Sequence, residues 1–532
     1  MKKIYLLFVL FLLVAAGCQD LNTSPEGDDV TSNTKSEVVA NDPSKAVAAV
    51  NGIFAQFNQY MPNATALNAS RHNDIGYPSV MLFTDVNGYD ITCNNNGYQW
   101  MGNNLTFADR IFTSRECQIL WNDMYKMIYT TNNLIAASDI ETTNPQSQFF
   151  VAQGLSVRAF CYGILAQLYQ FNYTGHETAT CVPIITDENS NDAALNGAPL
   201  ATVQEVYDQA MKDINSAVDL LKSAESNGIK RADKRYVSLA VAYGIRARIN
   251  LAMQKWQDAA SDATNAIQSS DATPASIADV SKPYFKSASE GEWMWGIIIA
   301  PTDRVVTSGI VNWISHMGSL NYGYANYSGG YQINKALYNS IPATDARKGW
   351  WLDVDQTSIN LNAEQQQWMD DYGYAPYTQV KFAPYEDVVG TSINSNDVPL
   401  MRVEEMYLIK AEAEAMSGGN GKATLENFIK QYRDPAYTCT ASSPADVQAE
   451  VYRQRRIELW GEGLSWYDIM RLNIPVDRRG AGYPNAPSVF NIAPGSNILL
   501  WPIPETEINS NQALKGYTNP PAPAPTPVPD IN

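Results

Sequence analysis

Histidine is nearly missing from this chain. His72, His176 and His316 are the three in 532 residues, and they lie far apart. Neither a histidine metal cage nor a His-centred catalytic triad can be read from them. Positive charge is also short: 37 Lys and Arg face 55 Asp and Glu, for a formal net charge of −18. That balance argues against nucleic acid, which needs a basic footprint, and against lying on anionic lipid headgroups. The six cysteines contain no C-x-x-C pair, which removes the usual redox and zinc spacings. The apolar run Tyr5–Val14 is too short to cross a bilayer as a helix, which takes about 20 residues.

What is present points to a surface that is both apolar and hydrogen-bonding. Aromatics make up 11% of the chain, with 30 Tyr and 12 Trp against 15 Phe. Tyr and Trp carry a polar tip on an apolar body and suit such surfaces. The length would hold two or three domains, but the helical rhythm described below reads as one.

The N-terminus opens with a short basic stretch, Met1-Lys-Lys-Ile4, followed by the apolar run and then Ala15-Ala16-Gly17-Cys18. This is the pattern of a secretory signal peptide, expected over residues 1–17. Its end resembles a bacterial lipobox, with Ala15 in place of the usual Leu, which makes Cys18 the expected lipidation site. Residues 18–40 are polar, poor in aromatics and expected as a flexible tether. Of the remaining cysteines, Cys161 sits in a helical pattern and is expected as a buried hydrophobe.

From residue 41 a period of 3.6 takes over. Asp42-Pro43 starts a helix carrying Val47, Val50, Phe54 and Phe57, and a second carries Leu120, Met124, Ile128 and Ile135. A third runs from about Gln148 to Gln170. Thr202-Val-Gln-Glu205 reads as a capping box before Val206, Ala210, Ile214 and Leu221. Tyr236–Ile267 resembles a tetratricopeptide-like hairpin, with Ala240, Ala242, Gly244 and Ala247 at a close helix contact.

Two stretches break this rhythm: about 63–110, rich in Asn and Gly with Tyr77, Tyr89, Tyr98 and Trp100, and about 272–396. The second holds Trp293–Ile299, which reads as a strand, and the Gly/Tyr/Asn run Asn321–Tyr331. Aromatic rings on such loops can stack on sugar faces while Asn and Asp bond to hydroxyls. Asp187-x-Asn189-x-Asn191-Asp192 looks like a calcium loop but has Asp192 at the sixth position and Ala198 at the twelfth, so a polar loop and no metal are expected. No cofactor motif is present. Tyr517–Asn532 is Pro-rich and expected to be extended and poorly packed.

The most informative stretch is Arg453–Arg471. Ser443, Pro444 and Asp446 start the helix that leads into it. Charge is then mixed into an apolar stripe: Arg455, Arg456, Glu458, Glu462, Asp468 and Arg471 among Val451, Trp460, Leu464 and Tyr467. An ion-pair lattice tying several helices together is expected, with Arg456 placed to stack on Trp460.

Arg455, Glu458, Leu459, Glu462, Gly463, Trp466, Asp468 and Arg471 also follow the C-terminal signature of the SusD/RagB family, which this chain resembles; Gln454 stands where that family usually has Glu. Trp121-x-x-x-Tyr125-x-x-Ile128, Val206-Tyr207 and Trp501-Pro-Ile-Pro504 are similar to further family motifs. The resemblance implies a mostly α protein: a tetratricopeptide-like helical-hairpin scaffold (about 41–62, 111–271 and 397–473) inside a single domain, 41–516, with a Pro-rich tail at 517–532. Long irregular loops and a few short strands (63–110 and 272–396) would form the ligand-binding side.

It implies a glycan-binding lipoprotein on the cell outer membrane, lipid-anchored and surface-exposed. It would be no enzyme, and its partners would be a glycan and a SusC-like TonB-dependent transporter. By the same resemblance Trp100 and Asn103 match the family's site position, with Tyr98 beside them, and Trp313, Tyr322 and Tyr324 are candidates to complete an aromatic arc. The rivals are capture of a peptide or another nutrient, an adaptor that only makes protein contacts, and a surface glycoside hydrolase. The last would draw its carboxylates from Asp85, Asp90, Asp353 and Asp370.

Overall fold

The structure is a computed structural model that describes residues 46–60 and 71–531. The signal peptide, Cys18, the tether and the Asp42-Pro43 helix start lie outside the described residues.

The longer helices, numbered here in chain order, are α1 (Ala46–Gln56), α2 (Tyr77–Asn87), α3 (Arg115–Ala136), α4 (Pro145–Tyr169), α5 (Val203–Ser226), α6 (Leu239–Ala252), α7 (Trp256–Ser269), α8 (Ala363–Asp371), α9 (Val403–Met416), α10 (Gly421–Tyr432) and α11 (Pro444–Glu458). Their starts follow the local chemistry. Asn144 caps α4 with Pro145 at its first position, Thr202 and Glu205 close the expected capping box on α5, and Ser443 with Asp446 does the same for α11. Successive helices pack as hairpins: α4 on α5, α6 on α7, and α9 on both α10 and α11, with α7 also against α9. α4 has the length and hydropathy of a membrane span, yet it is buried throughout as the central core helix. Cys161 lies inside it at 0% exposure.

Short strands join distant parts. In β1 (Ile91–Thr92) and β5 (Gln332–Ile333), Ile91 pairs with Ile333 and Thr92 with Gln332, antiparallel. That ladder ties the first irregular stretch to the second. β4 (Trp293–Ile297), which the sequence marks as a strand, pairs with β6 (Val398–Arg402) and delivers Arg402 into the interior. β2 (Thr180–Pro183) and β3 (Leu200–Thr202) form a small hairpin before α5.

The expected ion-pair lattice exists: within the stretch Asp468 takes Arg455 and Arg471, while Glu458 and Glu462 find partners from elsewhere. Glu458 binds Arg433 at 2.7 and 2.8 Å, Arg402 at 3.1 Å and Arg347 at 3.2 Å. Glu462 binds Arg402 and Lys381. These side chains are all but inaccessible to solvent. Burial alone would raise the Glu458 carboxyl, but Arg433, Arg402 and Arg347 outweigh it and hold it well below the usual range.

The signature stretch is also not one continuous helix. α11 stops at Glu458, a tight turn follows, and a short helix resumes at Ser465–Arg471. Gly463 makes the turn possible: its φ is +73° and a Cβ there would sit 2.7 Å from the Met81 side chain. Arg456 does not stack on Trp460. It pairs with Asp90 and lies over Tyr89 and Tyr452, while the Trp460 indole donates to the Asp90 carbonyl.

The Pro-rich tail has no regular structure and is mostly exposed, as expected, but it is pinned near its end. The Val528 N–H donates to the Val489 carbonyl and the Gly480 N–H to Asp530. Proline leaves few tail N–H groups, so the tail is held by one of them and by a side-chain acceptor.

Candidate functional site

The β1–β5 ladder sets loop 93–100 beside loop 321–331. Asn96 Nδ2 donates to the Tyr327 carbonyl at 3.0 Å. The Tyr98 ring then lies on Tyr327, with centroids 5.5 Å apart and planes 32° from parallel. Tyr322 meets Tyr327 edge-on at 6.0 Å, and their hydroxyls are 2.6 Å apart. Tyr98 and Tyr327 are 54% and 47% exposed. Unpacked phenols in a row leave faces free for a flat ligand. The exposed Tyr372, just past the end of α8, lies 4.5 Å from the half-buried Trp368, whose indole donates to the Ser319 carbonyl.

Trp100 is held by residues from both irregular stretches. Its backbone is left-handed, with φ +59°, a costly setting for a bulky residue that the surroundings must enforce. Its indole stacks on the His72 imidazole at 3.9 Å and 10°. His72 Nδ1 hydrogen-bonds the Tyr324 hydroxyl. His316 Nε2 donates to the His72 carbonyl at 2.7 Å, and its ring lies 4.5 Å from Tyr324. Burial drives the His316 imidazole down to about 4, so it stays neutral. Burial and then Arg115 lower His72. Asn73 Nδ2 donates to the Trp100 carbonyl.

The candidates therefore separate. Tyr98 and the half-buried Tyr322 come together through Tyr327, while Trp100, also half-buried, sits against His72 and Tyr324. Asn103 is exposed, with its amide on Glu116 at 3.1 and 3.2 Å. Tyr324 is 4% exposed and stands behind Trp100 as a brace. Trp313 does not join the arc: at 1% exposure it packs edge-on against Phe382 at 5.0 Å. Sequence reasoning missed Tyr327, whose signal was its place in the short helix Tyr324–Ser328, three residues on from Tyr324. His72 reads from the sequence, with Arg71 and Asp74, as a polar knot bracing this loop, and it does brace it, through a stack on Trp100 that no local spacing could reveal.

The carboxylates of the hydrolase reading are dispersed and occupied. Asp85 is 2% exposed and accepts from the Gly463 N–H. Asp90 holds Arg456, Asp353 accepts from the Thr357 N–H and hydroxyl within its own turn, and Asp370 accepts from Gln366. The calcium-like loop is likewise engaged, Asp187 with Arg158 and Asn189 with Thr186 and Ile184. Among the described residues no group of three or more His, Cys, Asp or Glu is placed to hold a metal.

Stacked helical hairpins carrying an exposed aromatic platform define a helical binding scaffold. Residues 320–520 match the SusD family, and residues 32–251 match a second SusD-like family described as starch-binding and associating with the outer membrane. The chain belongs to the SusD/RagB family.

Among its relatives, SusD-like protein P2 of Formosa agariphila is 22% identical over 97% of this chain and 99% of its own length. SusD-like protein P38 of the same organism is 21% identical over 68% and 73%. A SusD-like carbohydrate-binding protein from Bacteroides vulgatus has the same fold, with TM-score 0.72 and 23% identity over 89% of this chain and 97% of that one. A laminarin-binding SusD-like protein superposes with TM-score 0.59 and 17% identity over 88% and 98%.

Proposed function

We propose that this protein captures glycans at the cell surface and hands them to a SusC-like TonB-dependent transporter, without making or breaking bonds. The observation that carries the reading is the row Tyr98–Tyr327–Tyr322, exposed at Tyr98 and Tyr327, with Trp100 two residues from Tyr98 in the same loop. Sugar rings present C–H faces that stack on such phenols, and phenol hydroxyls with Asn94, Asn95 and Asn96 supply polar partners. The family description and the carbohydrate- and laminarin-binding neighbours support the ligand class. In this reading residues 41–516 act as one domain, Cys18 anchors it to the outer membrane, and Tyr98, Trp100, Asn103 and Tyr322 contact the ligand. Trp313 and Tyr324 serve the packing behind them.

Affinity gel electrophoresis of the chain from residue 41 against polysaccharides, with a peptide panel in parallel, tests the reading. Retardation by a glycan that Tyr98→Ala and Trp100→Ala abolish is the expected result. Binding to peptides alone would replace it with peptide capture, and release of a sugar product would replace it with hydrolysis.

A further inference from the structure

We propose that the aromatic platform is selective for uncharged glycans and discriminates against sulfated or uronate-bearing ones. This rests on the glycan reading above and narrows it.

The argument lies in where the charges go. At the Trp100 end the charged neighbours are Arg115 and Glu116, which face each other at 3.5 Å. Glu116 also takes Asn73 and Asn103, so this end presents a net-neutral pair in which Arg115 Nε is left without a hydrogen-bond partner. At the other end α8 carries Glu364, Asp370 and Asp371, all exposed. Their partners, where they have them, are amides: Gln366 on Asp370 and Gln367 on Asp371, each at 2.8 Å. Trp368 lies in the same helix and Tyr372 just past its end; the Tyr372 ring is 6.4 Å from that of Tyr374, whose hydroxyl accepts from Asn326, the neighbour of Tyr327. Uncompensated negative charge therefore borders the platform.

Most cations of stretch 272–396 are committed elsewhere; Lys335 is exposed, but it follows β5 at the end opposite the 321–331 run, and the exposed Lys282 lies beside Asp279. Arg347 and Lys381 are fully buried in the Glu458–Glu462 lattice. Lys286 pairs with Asp387, and Lys348 donates to the Tyr338 carbonyl. Arg304 lies over Tyr60. Carboxylate and sulfate recognition depends on an available guanidinium or ammonium. Among the described side chains none is free beside Tyr98, Tyr322 or Tyr327. A neutral sugar needs only ring faces and hydroxyl partners, and these are present.

The test is calorimetry of the chain from residue 41 with two panels: neutral polymers (laminarin, starch, xylan, galactomannan) and anionic polymers (alginate, polygalacturonate, dextran sulfate), at low and physiological ionic strength. A neutral glycan should bind, with every anionic polymer weaker by about tenfold or more, most clearly at low salt. Equal or tighter binding of an anionic polymer would overturn the proposal and leave glycan capture standing. Silence toward every glycan would overturn both.

A second arm uses Glu364→Gln/Asp370→Asn/Asp371→Asn, exposed substitutions that leave the core intact. Neutral binding should hold while anionic binding rises several-fold at low salt. An unchanged anionic affinity would remove α8 as the source of the discrimination.

Discussion

The imidazole of His72 lies flat on the indole of Trp100, 3.9 Å away and 10° from parallel. One face of Trp100 is therefore covered by the protein itself, so a ligand stacking on Trp100 would have to use the other. An aromatic pair of this kind contributes about 1 kcal/mol beyond burial, and here it also helps to hold a left-handed backbone. His72→Ala should weaken glycan binding about five- to tenfold, as a loss of about 1 kcal/mol implies, while the unfolding midpoint moves little. His72→Phe keeps a flat ring and should recover most of the affinity. Calorimetry on both variants checks this, and equal losses would mean that the stack is not what positions Trp100.

The two tryptophans offered by the sequence should separate cleanly. Trp100→Ala removes a surface ring and should cost about tenfold or more in affinity with the fold retained. Trp313→Ala empties a buried site against Phe382 and should cost about 3–5 kcal/mol of stability. Urea unfolding of each, followed by titration of whatever remains folded, decides between these roles. A Trp313→Ala protein that is fully stable but blind to ligand would return Trp313 to the site.

These contrasts show where sequence reading reaches and where it stops. Helix periodicity and caps are local, so α4, α5 and α11 were legible within a few residues. The charged stretch at 453–471 was legible as a lattice, but its partners Arg347, Arg402 and Arg433 were not. They come from 25 to 111 residues away in the chain, where no helical spacing applies. The break at Gly461–Gly463 was masked because Trp460, Leu464 and Tyr467 happen to keep an apolar rhythm across it. In the platform, composition singled out the two loops that the structure brings together. It could not tell Tyr324 from Tyr327, because which face of a five-residue helix points outward is set by His72 and His316 from other segments.

Glu458 is the most consequential single carboxylate of the scaffold. Removing its charge would leave Arg433, Arg402 and Arg347 packed around an uncharged side chain in the interior. Breaking a buried ion pair in this way costs about 3–5 kcal/mol. Glu458→Gln should therefore lower the denaturant midpoint sharply or prevent folding. Glu426→Gln, which loses a half-exposed pair with Lys430, should change it by less than about 1 kcal/mol. Similar midpoints for the two variants would show that the lattice carries no special share of the stability.

Asp85 makes the interior sensitive to pH in a defined direction. Burial pushes its carboxyl up to about 8; the Gly463 N–H pulls it back, and Asp90 and Glu462 raise it further. In the unfolded chain the same group titrates near about 3.9. The folded state thus holds a proton that the unfolded state releases, so this contribution is whole below about pH 4 and is lost progressively as pH rises toward about 8. Each unit of pH in that window costs the wild type up to about 1.4 kcal/mol from this group. Asp85→Asn keeps an oxygen to accept the Gly463 N–H and has no charge to bury. Its denaturant midpoint should match the wild type near pH 4 and exceed it increasingly up to pH 8. Glu290 and Glu292, also raised, to about 7 and about 8, titrate in both proteins and cancel in the difference. Midpoints that run parallel across the range would mean that Asp85 is ionised in the folded protein and that Gly463 and its neighbours stabilise the anion.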